Sequence, residues 1–227
     1  MSAKKPSPAP PTPRLYLATP PAADAAGLSP VLESLLAAAD IAAVLVRLAD
    51  ADDRTNINRI KALAPTIQTP GAALLLDSHL ALVARAGADG AHVSGLAPMN
   101  EALEQLKPDR IVGVGGLHSR HDSMVAGEAG ADYLLFGEPD ANGHRPSTEA
   151  IAERLEWWAE LFELPCVGYA QSLDEVERFA AAGADFIMVD EVVWSDARGP
   201  EAALTDVANR MGQGHAANLE KAAARQG

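Results

Sequence analysis

The stretch Ile111–Glu138, IVGVGGLHSRHDSMVAGEAGADYLLFGE, decides the fold. Ile111–Val114 is a short apolar, β-branched run of the kind that fills a buried parallel strand. Gly115-Gly116 allows a sharp turn at its C-terminal end. Ser119 is placed to cap a following helix and Gly130 to end it. Tyr133–Phe136 is the next buried strand. His118 is left on the loop after the first strand, where α/β proteins assemble their chemistry.

The same alternation extends in both directions. Strands are expected at Arg14–Thr19, Ile41–Leu48, Ala72–Leu76, Gly90–Val93, Pro165–Gly168 and Phe186–Val189. Helices are expected at Pro30–Ala39 (capped by Ser29), Arg54–Ala64, Ser78–Ala86, Met99–Leu106, Ser147–Leu161, Ser172–Ala182 and Glu201–Arg210. Strands separated by crossover helices pair in parallel. Eight such units in about 200 residues predict a single-domain α/β fold, a closed (β/α)8 barrel of the TIM type. A doubly wound open sheet is the alternative that periodicity leaves open. The barrel is expected over residues 14–212, after a disordered Pro-rich tail at 1–13 and before a loose Ala-, Gln- and Gly-rich tail at 213–227.

An internal echo marks the other end of the strands. Gly87-Ala88-Asp89, Gly130-Ala131-Asp132 and Gly183-Ala184-Asp185 each stand between a helix and a strand. Gly stops the helix and Asp accepts backbone N–H groups in the turn, a stabilising feature rather than a chemical one.

Bulk properties exclude several classes. The 227 residues are 48% apolar but only 4% aromatic, which suits small Ala-, Leu- and Val-rich helices on a sheet. No apolar run reaches the roughly 18 residues of a membrane span. The start, MSAKKPSPAPPTP, has no apolar core and does not read as a signal peptide. A net charge of −13 disfavours nucleic acid and anionic membranes as partners. The single Cys166 excludes an internal disulfide framework and fits a reducing cytoplasm; it is expected to be inert core.

The strand C-termini carry a ring of polar residues: Thr19, Arg47, Asp77 with His79, His92 with Ser94, His118 with Ser119, Glu138 with Asp140, Tyr169 with Gln171, and Asp190 with Glu191. His118 is the leading catalytic candidate, since a loop histidine at a strand end exchanges protons near neutral pH. Arg47, Asp77, His92, Ser119, Glu138, Asp190 and Glu191 are the substrate-binding candidates. His92, inside a strand, is expected to point into the barrel. Arg47, a cation in an apolar strand, needs an anionic partner. Asp77, Glu138, Asp140, Asp190 and Glu191 suggest an acidic mouth suited to Mg2+, although no metal-spacing motif supports it. His144 and Arg145 either meet an anion or face water. Trp157-Trp158 is expected to pack on a neighbouring helix or subunit.

From Arg14 to about Pro200 the sequence resembles the thiamine phosphate synthase/TenI superfamily. The matching stretches are LYLATP, VLVRL, LLLDSHLALVARAGADGAHVSG, IVGVGGLHS, AGEAGADYLLFGE and AAGADFIMVDEVVW. The resemblance implies a (β/α)8 barrel that joins a pyrimidine pyrophosphate to a thiazole phosphate, with Mg2+ on the pyrophosphate and no organic cofactor. It also implies a small-molecule ligand and a tendency to form homo-oligomers. In its TenI branch a histidine at the position of His118 isomerises an aminothiazole carboxylate phosphate.

The family pattern is kept only in part. Leu45-Val46-Arg47-Leu48-Ala49 keeps its arginine but not its glutamine or lysine. Asp77-Ser78 has a hydroxyl where a metal carboxylate is expected, and Ser94-Gly95-Leu96-Ala97 lacks a second one. Gly116-Leu117-His118-Ser119 keeps the His and Ser, while Asp140–Pro146 has no lysine. Gly168-Tyr169-Ala170-Gln171 and Asp190-Glu191 replace the turns that cradle a phosphate, and two carboxylates there would repel it. These departures favour a diverged member acting on a small heterocycle in thiamine metabolism, with His118 as general acid/base and Arg47 orienting an anionic substituent. Two alternatives stay open. One is a non-catalytic binding or interaction barrel. The other is a true synthase whose metal is held from new positions by Asp77, Glu138 or Asp190.

Overall fold

The computed structural model describes residues 10–140 and 142–225. Eight parallel strands close into a barrel in sequence order. They are β1 (Arg14–Ala18), β2 (Ile41–Val46), β3 (Ala73–Asp77), β4 (Gly90–Ser94), β5 (Ile111–Gly115), β6 (Tyr133–Phe136), β7 (Cys166–Tyr169) and β8 (Phe186–Val189). Pairing of β1 with β8, from Arg14 opposite Phe186 to Leu17 opposite Val189, closes the ring and removes the open-sheet alternative. The crossover helices are α1 (Ala25–Ala38), α2 (Asp53–Gln68), α3 (Leu80–Ala86), α4 (Leu96–Leu106), α5 (Arg120–Ala129), α6 (Thr148–Leu161) and α7 (Leu173–Ala181). After β8 come a short α8 (Glu191–Trp194) and a long α9 (Pro200–Ala224). No helix among the described residues is long and apolar enough to cross a membrane.

Period-two alternation splits the apolar residues into two cores. Tyr16, Leu45, Leu75, Tyr133, Leu135, Val167, Tyr169 and Met188 fill the barrel. Outward neighbours such as Leu17, Val44, Leu74, Val93, Leu134 and Val189 pack under the helices. Cys166 lies in this outer layer, and its burial pushes the thiol pKa up, so it stays an unreactive thiol.

The Gly-Ala-Asp echo closes the N-terminal end of the barrel. Asp89 accepts from the Leu74 N–H at 2.7 Å, Asp132 from Val112 at 2.7 Å and Asp185 from Cys166 at 2.8 Å. Each aspartate's own N–H donates back to the same residue's carbonyl, at 2.8, 2.8 and 3.0 Å. The aspartate before each even-numbered strand from β4 on therefore clips the start of the strand preceding it.

Several boundaries differ from the expected ones. α1 starts at Ala25, because the Asp24 carboxylate accepts from the N–H groups of Ala26 and Gly27 at 3.1 Å. Ser29 instead bonds Thr66 at 2.6 Å, tying α1 to α2. α2 continues through Pro65, and the extra turn buries Ile67 completely. Burying an isoleucine gains about 1.5–3 kcal/mol, comparable to the cost of an interior proline. Ser119 caps α5 as expected, in a capping box with Asp122, and Gly130 ends it in the left-handed conformation.

The expected loose tail after residue 212 is corrected. α9 runs unbroken to Ala224 and lies against α7. Gly212 and Gly214 lower helix propensity, which hides this from a sequence reading. Yet Gly214 is buried because a Cβ there would lie 2.1 Å from the Glu177 carbonyl and 2.8 Å from the Ala180 Cβ. Arg225 adds ion pairs to Glu156 and Glu160. Residues 1–9 of the expected N-terminal tail lie outside the described residues.

These two glycines give opposite predictions. Gly214→Ala pushes α9 off α7 and should lower stability by about 1–3 kcal/mol. Gly212→Ala meets nothing within 4 Å and should raise it by about 0.5–1 kcal/mol. Urea melts of both variants check this. Equal shifts would mean that α9 does not dock.

Candidate functional site

The alternation that fills the barrel also selects what lines its mouth. Leu45, Leu75 and Met188 point inward, so Arg47, Asp77 and Asp190, two residues later, emerge at the rim. There they form one charged cluster. Arg47 Nη1 donates to Asp190 Oδ2 at 2.9 Å, and Arg47 Nε lies 3.8 Å from Asp77 Oδ2. The Tyr169 hydroxyl donates to Asp190 Oδ2 at 2.6 Å, and the Glu191 N–H donates to Asp190 Oδ1 at 2.6 Å. Burial works against the Arg47 charge, but the bond and charge of Asp190 outweigh it and leave the pKa raised. Burial, then the bond to Asp190, pushes the Tyr169 phenol up to about 12, so it remains a donor. Asp190 is therefore neutralised by Arg47, and the repulsion of a phosphate expected from this position is largely cancelled.

Inside the barrel a second network runs between four residues. Tyr16 and Tyr133 share a hydrogen bond of 2.8 Å between their hydroxyls. Tyr133 Oη lies 3.1 Å from His92 Nδ1, and His92 Nε2 lies 3.1 Å from Glu138 Oε1. With a neutral His92 beside a Glu138 carboxylate, the hydrogen bonds run from Tyr16 to Tyr133, from Tyr133 to His92 Nδ1, and from His92 Nε2–H to Glu138. Burial is the first cause that holds both phenols far above their ordinary pKa, which keeps them protonated as this order requires. Glycine makes the room. A Cβ on Gly113 would strike the Tyr133 ring, and one on Gly115 would lie 1.8 Å from Glu138 Oε2.

Glu138 stands at the wall of a cavity of about 560 Å3 over the ends of β4, β5 and β6. Ser94, Gly116, His118, Asp140, His144, Arg145 and Arg154 also line it, with Phe136 and Ile151 as apolar walls. His118 is exposed and stands on the loop as expected. His92 is buried and reaches the cavity only through Glu138. Glu138 Oε2 is buried without a hydrogen-bond partner among the described residues.

The expected site residues thus fall into two groups. Arg47, Asp77 and Asp190 make a cluster at the β2, β3 and β8 ends, while His118, Glu138 and, behind them, His92 serve the cavity. Two candidates are placed elsewhere. The Ser119 hydroxyl accepts from the Asp122 N–H at 3.0 Å and serves as a helix cap. Glu191 is exposed on α8 and accepts from the Ser195 hydroxyl. Among the described residues, no group of three His, Cys, Asp or Glu side chains could enclose a metal.

Arg145 meets an anionic group, and that group belongs to the chain itself. It donates to the Gly137 and Tyr169 carbonyls and to Glu175, the last at 2.7 Å, and so pins the β6–α6 loop. Burial opposes the Glu175 charge, but bonds from Arg145, the Gln171 N–H and Thr148 outweigh it and leave the pKa lowered. The tryptophans pack within the chain: Trp158 stacks on Phe162, and the Arg120 guanidinium lies 4.8 Å over Trp157. The sequence reading missed Arg154, whose helix position shows no chemistry until α6 is seen beside the β5–α5 loop. It also missed Tyr133 as a relay, although its inward position opposite Gly113 was a usable signal.

The sequence model of the thiamine monophosphate synthase family matches residues 15–193. A thiamine-phosphate synthase from Rhodospirillum centenum is 42% identical over 204 residues, covering 88% of this chain and 98% of the relative. One from Hyphomonas neptunium is 34% identical, covering 86% of this chain and 91% of the relative. Among solved structures, thiamine phosphate pyrophosphorylase from Pyrococcus furiosus superposes with a TM-score of 0.74 at 20% identity, covering 88% of this chain and 96% of that one. At 18% identity, 3-hexulose-6-phosphate synthase from Salmonella typhimurium reaches 0.69 over 88% of this chain and all of its own. These two structures show the barrel fold. The family match, extending over most of the chain, and the long sequence relatives establish that the chain belongs to the thiamine monophosphate synthase/TenI family.

Proposed function

We propose that this protein is itself a thiamine-phosphate synthase. Of the readings the sequence leaves open, this is the one with the relocated metal site rather than the diverged barrel. The observation that carries it is the 42% identity to a thiamine-phosphate synthase along 98% of that relative's length. The geometry supports it by weakening an objection: of the two carboxylates after β8, Asp190 is paired with Arg47 rather than facing a phosphate as a free charge.

Each group then has a role. Arg47, oriented by Asp190, turns its remaining guanidinium N–H groups to the mouth as hydrogen-bond donors for a phosphate oxygen. Asp77, half-exposed beside it, offers hard carboxylate oxygens of the kind Mg2+ takes. One carboxylate suffices when water and the substrate's pyrophosphate complete the shell, so the lack of a three-residue cluster among the described residues is compatible with this ion. Bound there, Mg2+ would draw off charge from the departing pyrophosphate. His118 supplies or takes a proton from the exposed β5–α5 loop. The Tyr16–Tyr133–His92 chain holds Glu138 in one orientation at the cavity wall.

The test is direct. The purified chain with Mg2+, the pyrimidine pyrophosphate and the thiazole phosphate should form thiamine phosphate, and EDTA should stop it. A folded protein that makes none would refute the reading. His118→Ala should lower kcat by about 10²–10⁴-fold with an unchanged melting temperature. Undiminished turnover would remove His118 from the mechanism.

A further inference from the structure

We propose that Arg154 is the anion-binding residue of the β4–β6 cavity and takes a phosphoryl group of the bound ligand. This deepens the synthase reading and rests on it for the phosphoryl chemistry.

The argument begins with the charge balance of three arginines. Arg47 is paired with Asp190, and Arg145 with Glu175. Arg154 lines the cavity, yet no carboxylate lies within 4 Å of it among the described residues. Its Nη1 donates to the Leu117 carbonyl at 2.8 Å and its Nη2 to the His118 carbonyl at 3.1 Å. These contacts fix the fork without neutralising it and leave other N–H groups of the five free. Phe136 lies under the guanidinium, 6.0 Å from the ring centre, and restricts it further. Burial and the neighbouring Arg120 both work against the charge, with Asp122 a weaker opposing influence, so its pKa is lowered. A half-buried cation without a counter-charge is costly, and an anion entering the cavity would relieve that cost.

The cavity's two acids do not pair with it. Glu138 meets His92 through Oε1 and leaves Oε2 without a partner among the described residues. Asp140 Oδ1 accepts from the N–H groups of Asn142 and His144, both at 2.8 Å. Neither carboxylate comes within 4 Å of Arg154. The imidazoles of His118 and His144 share the cavity. A planar, preorganised guanidinium suits two phosphoryl oxygens at once, which a lysine ammonium cannot match.

The test uses the full chain with inorganic pyrophosphate as probe, by isothermal titration. Arg154→Gln should weaken binding at least 10-fold, and Arg154→Lys should recover part of it. Arg85→Gln, which removes an exposed cation paired with Asp53, should change nothing. Wild-type affinity in a folded Arg154→Gln protein would overturn the proposal. If that variant does not fold, phenylglyoxal labelling of the wild type decides: pyrophosphate should slow modification of Arg154, and an unchanged rate would overturn it. Binding that depends on Arg154 without thiamine phosphate formation would sink the synthase reading alone. Turnover with Arg154-independent binding would sink this proposal alone.

Discussion

A closed parallel barrel admits charge on its inner face at few places. Along each strand, alternate side chains point into a space already filled by Tyr16, Leu45, Leu75, Val167 and Met188. A charge within that layer would lose its hydration without compensation. Two residues further, the same alternation reaches the mouth, and Arg47, Asp77 and Asp190 occur there. The layer that makes the core and the layer that makes the chemistry are therefore one pattern, divided by the point where solvent begins.

The mouth has its own constraint: its charges must be balanced or be useful. Arg47 and Asp190 settle each other, with the Tyr169 hydroxyl as a third partner. Arg145 and Glu175 do the same on the other side and fix the β6–α6 loop. Breaking a partly buried pair costs up to about 3–5 kcal/mol, whereas exposed pairs such as Arg85–Asp53 are worth little. Arg154, in the cavity wall, has no carboxylate within 4 Å among the described residues. Glycine contributes by absence: Gly113 and Gly115 leave room for Tyr133 and for the Glu138 carboxylate.

Much of this was legible in the sequence. Short β-branched runs, the Ser119 cap and the repeated Gly-Ala-Asp turns place the strands, and counting them gives the barrel. His92 reads as an inward histidine because it sits mid-strand, and it is buried. What was hidden depends on partners distant in sequence. Gly214 looks like a helix breaker until Glu177, on another helix, requires a residue without a side chain. Pro65 looks like a stop until Ile67 is seen in the core. Arg145 and Arg154 look alike on paper; only the fold gives Glu175 to one and two bare carbonyls to the other. Asp190 reads as repulsive because Arg47, 143 residues away, is not visible beside it.

The most direct test of the account is a crystal structure of the chain with thiamine phosphate bound. The account predicts product at the barrel mouth, touching the β4–β6 cavity, with its phosphate against an arginine and His118 facing the ligand. Product bound away from the strand C-termini, or in the cavity with neither His118 nor an arginine in contact, would contradict it.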